Sequence, residues 1–291
     1  MSGYDLAIPN ISYYYLIFMT VSVSANALLI FLIQYRSPHV ARGFKILLVN
    51  TAANQFLVAV IQSSLQERVL TSGTVLALLP AGPLRYLGPT VCYVAYNVIN
   101  ALNLNVGISV FHSMYFRYRL IKATELSSRE LTPYTSPFHF DVVMEAAIRT
   151  HPEYNLRKYG PFGGFKSTND PLFIINTMIL CIGSFVLPAV IFYWKRLILK
   201  SLNSSGATLT EKTRHNSRTL LKALSAQAVT PLLCVMPGVL LYVLSQFSGN
   251  SIPAGEYLMP IFVSLPCAID PLLTIYFITP YRNWVIQRLR S

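Results

Sequence analysis

Residues 12–34 read SYYYLIFMTVSVSANALLIFLIQ, an apolar stretch without one charged side chain. About 20 apolar residues are enough to cross the hydrocarbon core of a bilayer as a helix. The whole chain has the same character, because hydrophobic residues make up 53% of its 291 residues and charged residues only 12%, half of what is usual in soluble domains. No basic residue precedes this stretch, and it is longer than the apolar core of a secretory signal. We therefore expect it to remain as the first transmembrane helix.

Further apolar blocks of spanning length follow, and together they predict an all-α fold, a polytopic membrane helical bundle with six strong spans. We expect residues 1–291 to form a single membrane domain in which 123–171 is a non-spanning loop. The patch 74–84 is too short to span and contains two prolines, so it is expected to be a loop resting on the bundle. The six spans are expected at approximately 12–34, 45–65, 89–114, 172–194, 220–247 and 257–279.

The net charge of +12 is arranged in the pattern of a membrane topology. Because positively charged loops are retained in the cytoplasm, we expect the N-terminus outside, the C-terminus cytoplasmic and the basic loops near anionic lipid. This placement leaves no separate basic surface, and we expect no nucleic-acid partner. Most Lys and Arg residues lie beside the ends of spans, in clusters at 36–45, 117–129, 195–222 and 282–290.

The last segment, Tyr281–Ser291, is predicted to form a short helix on the inner leaflet. A helix with one apolar side and a basic polar side binds the surface of a membrane without crossing it. The apolar side is expected to contain Tyr281, Trp284, Val285 and Leu289.

The stretch RELTPYTSPFHFDVVME, residues 129–145, cannot cross a membrane, because it carries two prolines and three acids among few strongly apolar residues. The basic clusters on either side of it both favour the cytoplasm, and only one span, 172–194, lies between them. Two cytoplasmic segments must be separated by an even number of crossings. The chain therefore behaves as a seven-span protein whose fourth span is absent, and we predict that it inserts poorly as written.

Four stretches, in order along the chain, carry a resemblance to a known family: TSGTVLALLPAGPLRYLGPTVCY (71–93), FHSMYFRYRLIK (111–122), THPEYNLRKYGPFGGF (150–165) and AIDPLLTIYFITPYR (268–282). Over nearly its whole length the chain resembles the nematode chemosensory receptors called serpentine receptor class delta. The resemblance implies a bundle of the seven-span receptor type in the plasma membrane of sensory cells. It implies two partners besides the lipid bilayer, a small-molecule ligand and a heterotrimeric G protein at the cytoplasmic face.

By analogy with rhodopsin-like receptors, several residues are candidates for switching and coupling. Arg117 and Tyr118 occupy the place of the acid-Arg-Tyr triplet at the inner end of span three, although the arginine alone would also serve as an interfacial anchor. Asp270 begins a segment similar to Asn-Pro-x-x-Tyr, and an intramembrane carboxylate is a functional hypothesis by default. We expect it to cluster with asparagines of spans one and two, unless these polar groups only hold helices together. The candidates are Asn26, Asn54, Arg117, Tyr118, Asp270, Pro271 and Tyr276.

Asparagines recur at every third position of span three and share one side of that helix. The outer half of this side is expected to line a ligand pocket, together with polar side chains of the last two spans. Hydrogen bonding between helices is an equally good explanation for such residues. The pocket candidates are Tyr96, Asn97, Asn100, Tyr242, Gln246 and Tyr257.

Nothing in the sequence predicts an enzyme. The five histidines have no metal-ligand spacing and no nucleophile or phosphate-loop motif is present, so we expect neither a metal nor a cofactor. The segment 123–171 contains no cysteine that could pair with Cys92, and no disulfide is expected. Two alternatives to a chemoreceptor remain: a membrane transporter, against which the lack of an internal repeat argues, and a receptor variant made non-functional by the loss of one span.

Overall fold

The computed structural model describes residues 7–36, 42–72, 75–122, 163–165, 188–200, 211–248 and 253–290, with Met178 and Val186. Helices dominate these ranges. Numbered here in chain order, they are α1 (Ala7–Arg36), α2 (Arg42–Leu65), α3 (Pro89–Lys122), α4 (188–200), α5 (Glu211–Ser248), α6 (Pro253–Phe277) and α7 (Thr279–Arg290).

Within the described ranges, five helices (α1, α2, α3, α5 and α6) are long and apolar enough to cross a membrane. This confirms the prediction of a polytopic bundle of membrane-spanning helices. The predicted span 172–194 lies mostly outside the described residues, and only its last part belongs to α4. The spanning parts of the five helices are Ile11–Arg36, Lys45–Leu65, Pro89–Phe116, Leu221–Leu241 and Gly255–Phe277.

A small antiparallel sheet joins α2 to α3 and adds to the helical bundle. It contains β1 (Glu67–Ser72), β2 (Val75–Pro80) and β3 (Gly163–Phe165), in the order β1-β2-β3. The patch 74–84, expected as a loop, forms β2 and the start of a 3₁₀ helix at Pro83–Leu87. A Ser-Gly pair between two short runs rich in Val and Leu is only a weak sequence signal for this hairpin.

The third strand determines which end of the bundle the chain has reached by residue 163. Gly163 pairs with Leu78 and Gly164 with Ala77, so β3 lies at the end where α3 begins. The other end of α3, at Lys122, is about 50 Å away along the helix axis. The chain therefore passes from one end of the bundle to the other between Lys122 and Gly163, and that interval lies outside the described residues.

Two apolar clusters form the core, one at each end of the bundle. The cluster beneath the sheet contains Tyr15, Val58 and Ile99. The cluster at the other end is closed by α7, which places Tyr281 in the core and packs the ring of Trp284 against Phe31 at 5.6 Å between centroids. The predicted tail helix is therefore present, but its first turn faces the bundle.

Candidate ligand and signalling sites

Asp270 lies in the second half of α6 and is the centre of a polar network that connects three helices. Its side chain is 1% exposed, and its Oδ2 accepts a hydrogen bond of 2.7 Å from Nε2 of Gln55 on α2. The backbone carbonyl of Asp270 accepts from the Thr274 hydroxyl at 2.8 Å. That hydroxyl in turn accepts from Nε2 of Gln227 on α5, also at 2.8 Å. The network thus joins α2, α6 and α5.

Pro271 explains a second contact between helices in the same layer. A proline has no backbone N–H, so the carbonyl four residues before it loses its partner within the helix. For Pro271 this carbonyl belongs to Cys267, and it accepts a hydrogen bond of 2.9 Å from Nδ2 of Asn26 on α1. The same amide nitrogen also donates to the carbonyl of Ser22 at 2.9 Å. Asn26 therefore satisfies an acceptor that the proline creates.

Asn54 is buried, but its amide points along α2. It donates to the carbonyl of Asn50 at 2.7 Å and to the Oδ1 of the same residue at 3.2 Å. Asn50 donates onward to Ser109 on α3 at 2.5 Å. We expected Asp270 to cluster with Asn26 and Asn54, but the α2 side chain that donates to its carboxylate is Gln55, which was not among the candidates. Two successive amide side chains in an apolar span were the available signal.

The other switching candidates lie apart from this network. Tyr276 is 59% exposed on the outside of α6, with the guanidinium of Arg282 5.8 Å from its ring centroid. Arg117 and Tyr118 belong to the C-terminal end of α3, and their side chains lie outside the described part of the chain.

At the sheet end, a buried ion pair fastens the hairpin to α6. Arg68 of β1 donates from Nε to Oε2 of Glu256 at 2.9 Å, and the two residues are 5% and 1% exposed. The Arg68 guanidinium also lies 4.5 Å from the ring centroid of Tyr257, a pocket candidate. Both residues lie outside the six predicted spans, and the pair depends on a strand at Arg68 that the sequence did not predict.

Glu67, the first residue of β1, is buried beside this pair. Its Oε1 accepts a hydrogen bond of 3.2 Å from Nε2 of Gln62, and its Oε2 has no hydrogen-bond partner among the described residues. Burial raises the pKa of the Glu67 carboxyl from 4.5 to about 7, and the hydrogen bond from Gln62 opposes this increase. The carboxyl is therefore poised to accept a hydrogen bond or to hold a proton near neutral pH.

A small cavity lies beneath the hairpin and is lined by Glu67 and by the first two turns of α3. One pocket candidate, Tyr96, contributes to its wall. Asn97 donates to the carbonyl of Tyr93 at 2.8 Å, and Nδ2 of Asn100 is buried without a hydrogen-bond partner among the described residues. The side chains of Tyr242 and Gln246 on α5 lie outside the described part. The lining residues are Leu65, Glu67, Leu78, Pro80, Cys92, Tyr93 and Tyr96.

Gly82 holds the end of the hairpin against α2. Its N–H donates to the carbonyl of Leu65 at 3.0 Å, and a Cβ atom at this position would lie 2.2 Å from the carbonyl oxygen of Ser64. Only glycine permits this close approach of two backbones. The contact fixes the roof of the cavity relative to α2.

The five long apolar helices define the chain as a multi-pass membrane protein. Residues 11–287 match the family described as serpentine type 7TM GPCR chemoreceptor Srd, and the chain belongs to this family. Chemoreceptors of this kind are not an enzyme family.

Several relatives come from Caenorhabditis elegans. Serpentine receptor class delta-59 is 27% identical over 304 residues, which cover 98% of this chain and 93% of the relative. Serpentine receptor class delta-40 is 29% identical, covering 97% of this chain and 93% of the relative. Serpentine receptor class delta-63 is 30% identical over 73% of this chain and 72% of the relative.

Proposed function

We propose that the chain is a chemosensory receptor that binds a small molecule at its outer end and rearranges its helices to signal to a cytoplasmic heterotrimeric G protein. The observation that carries this proposal is the network around Asp270, which ties α2, α5 and α6 together in the middle of the bundle. The N-terminus is outside, the C-terminus is cytoplasmic and the protein acts in the plasma membrane of sensory cells. The clusters of basic residues support this orientation.

The Asp270 network has the properties of a switch rather than of a static clamp. Oδ2 is held by Gln55. Oδ1 makes no hydrogen bond of good geometry among the described residues, because the Thr230 hydroxyl of α5, which lies close enough to interact with the carboxylate, donates to the Ala226 carbonyl at 2.9 Å. A buried carboxylate with one unsatisfied oxygen gains from any movement that brings a donor to it. Prolines 231, 237, 260, 266 and 271 interrupt α5 and α6 and weaken the backbone ladder where such a movement takes place.

The cavity beneath the hairpin is the proposed ligand site. Its volume of about 10 Å³ has room for about one water, so a ligand that binds there has to move the hairpin away from α3. The free Oε2 of Glu67 offers an acceptor, and Tyr93 and Tyr96 supply aromatic surface. This chemistry favours a small ligand that carries a hydrogen-bond donor. Because the Arg68–Glu256 pair links the same hairpin to α6, a ligand under the hairpin acts on the helix that contains Asp270.

The test is substitution of Asp270 by Asn in cells that carry a G-protein reporter and are exposed to a panel of small amines, alcohols and ketones. Asn keeps the size of the side chain and accepts from Gln55 but removes the charge, so we expect the response to fall about tenfold or more while the surface level changes less than about twofold. Leu272→Ala, on the exposed side of the same helix, is the matched control and is expected to respond normally. Parallel loss of response and surface level would make Asp270 structural, and substrate flux in proteoliposomes would favour a transporter.

A second candidate is a receptor variant that lacks one span. The match to serpentine receptor class delta-59 extends over 304 residues, more than the 291 of the whole chain, so the relative has residues in the matched region that this chain lacks. Sequencing the transcript distinguishes a deletion or splice form from an incomplete sequence. A transcript that encodes a further apolar segment after Leu131 would replace this candidate by the complete receptor.

A further inference from the structure

The carboxyl of Glu67 is a buried acid that has no cationic partner among the described residues. Glu67 is 8% exposed, its Oε1 accepts from Gln62 at 3.2 Å, and its Oε2 makes no hydrogen bond in the described part of the chain. The guanidinium of Arg68, the next residue of β1, is paired with Glu256 instead. Because a buried charge is stable only when it is paired, an ionised Glu67 requires a cation from outside this set of residues.

The charges of this buried group determine the charge of the cation that fits it. Glu67 and Glu256 contribute two negative charges and Arg68 contributes one positive charge, so one negative charge remains when Glu67 is ionised. All three side chains are buried, and water therefore screens the remaining charge poorly. One monovalent cation makes the group neutral, whereas a divalent cation leaves it with an excess of positive charge.

The cavity beside Glu67 determines the size and the kind of cation. Its volume of about 10 Å³ holds about one water molecule, and an ammonium group has a similar size. Besides Glu67, its wall consists of apolar residues and two tyrosines, and no group of three or more possible metal ligands is found among the described residues. Metal ions such as Ca²⁺ take several oxygen ligands, whereas an ammonium group is bound by one carboxylate together with aromatic rings such as those of Tyr93 and Tyr96.

We propose that the cavity beneath the hairpin binds an ammonium group, either the ammonium ion or the head of a small primary amine, with Glu67 as its counter-ion. This inference rests on the proposed function, because it names the charge of the ligand at the proposed ligand site. The ammonium ion has the size of the cavity, whereas the alkyl part of an amine requires the hairpin to move away from α3. The Arg68–Glu256 pair transmits such a movement to α6.

The cation competes with a proton for the same carboxyl. Burial raises the pKa of Glu67 to about 7, so the carboxyl is mostly protonated at pH 5 and mostly ionised at pH 8. Because an ammonium group pairs only with the ionised form, its apparent dissociation constant is expected to be about tenfold weaker at pH 6 than at pH 8. The titratable and charged groups around Glu67 are Tyr15 of α1, Cys92, Tyr93 and Tyr96 of α3, Arg68 of β1, and Glu256 and Tyr257 of α6.

The test is the melting temperature of the purified full chain at pH 8 in rising concentrations of ammonium chloride, methylammonium chloride or sodium chloride. Ammonium chloride is expected to raise the melting temperature by about 2–4 °C when its concentration is about fourfold above the dissociation constant, because a ligand that binds only the folded state stabilises it. Sodium chloride at the same ionic strength is the control and is expected to give no saturable shift. A shift with methylammonium as well assigns the site to the head of an amine, and a shift with ammonium alone assigns it to the ion.

Two variants connect the shift to one carboxyl. Glu67→Gln removes the charge and is expected to abolish the ammonium shift, whereas the same change at the first residue of α5, Glu211→Gln, is the matched control and is expected to keep it. If Glu67→Gln does not fold, the comparison of pH 6 with pH 8 in the unmodified chain tests the same carboxyl.

The proposal is overturned by equal effects of ammonium and sodium chloride, by an ammonium shift that is as large at pH 6 as at pH 8, or by a shift that Glu67→Gln retains. The readout needs no G protein. Its failure would therefore remove the ammonium group as the ligand but leave the test of receptor signalling at Asp270 unaffected.

Discussion

At the scale of the residue, the most informative contact is the hydrogen bond from Asn26 to the carbonyl of Cys267. Pro271 makes this carbonyl available by removing the N–H that would otherwise bind it. An amide on α1 and a proline on α6 thus act as one unit, although they lie near opposite ends of the chain. Asp270, next to this proline, is held at the same level by Gln55 of α2.

This unit predicts coupling between two substitutions. Asn26→Leu is expected to destabilise the protein by about 0.6–1.7 kcal/mol, the range of hydrogen bonds between membrane helices. In a Pro271→Ala background the loss is expected to be smaller, because residue 271 then supplies its own N–H to the carbonyl of Cys267. A double-mutant cycle from thermal unfolding in detergent measures the difference. Strictly additive effects would mean that Asn26 and Pro271 are independent.

The burial of the Glu67 carboxyl predicts that the free energy of unfolding depends on pH. Its pKa in the folded protein is raised from 4.5 to about 7, so between these values the folded state holds a proton that the unfolded state has released. The neutral carboxyl makes its full contribution to the free energy of unfolding below about pH 4.5. This contribution is lost as pH rises towards 7, and the total loss is on the order of 3 kcal/mol. Tyr15 of α1, Gln62 of α2 and Cys92 with Tyr96 of α3 surround the carboxyl.

The measurement is the melting temperature of the purified protein between pH 5 and pH 8, for the unmodified chain and for Glu67→Gln. The substituted protein keeps the size of the side chain but cannot ionise, so its melting temperature is expected to fall less over this range. Identical pH profiles would show that Glu67 is not the group responsible.

At the scale of the element, the hairpin depends on one buried ion pair. Arg68 and Glu256 join β1 to α6, and breaking a buried pair leaves an uncompensated charge. Glu256→Gln alone is therefore expected to destabilise the protein by about 3–5 kcal/mol. The double variant Arg68→Met/Glu256→Leu is expected to recover most of that loss, because it leaves no buried charge. If the single and double variants melt at the same temperature, the pair does not hold the hairpin.

The spanning helices were predictable from the sequence because a long apolar run has few alternatives in a membrane. The hairpin at 67–80 was not, because its two short apolar runs have no strand signal strong enough to outweigh the prolines at 80 and 83, and its pairing with Gly163 depends on residues far along the chain. The site was predictable in part. Asp270 is conspicuous as a buried acid in an apolar span, whereas its partner Gln55 is one of several amides, and only the rotation of α2 decides which of them faces α6.

At the scale of the whole molecule, the folded arrangement and the charge pattern impose different demands on residues 123–162. Pairing of Gly163 with Leu78 requires the chain to reach the sheet end of the bundle, where α3 begins, by residue 163. The basic clusters before and after this interval favour the cytoplasm, and the sequence between them contains no apolar run of spanning length. The chain can therefore adopt the helical bundle of the receptor family, but we expect only a small fraction of chains to insert into the membrane in the way that this bundle requires.

The most direct test of a receptor chain that lacks one crossing is the location of an epitope tag at residue 160 in intact cells. It is compared between the chain as written and a version with a twenty-residue apolar helix after Leu131. An Asp at the centre of a spanning helix costs about 2.5–3.5 kcal/mol, and residues 132–148 offer few apolar side chains to offset it. We therefore expect the unmodified chain to show a low surface level with most tags inside, and the extended version to show the tag outside at full surface level. An outside tag with full surface expression in the unmodified chain would contradict the account.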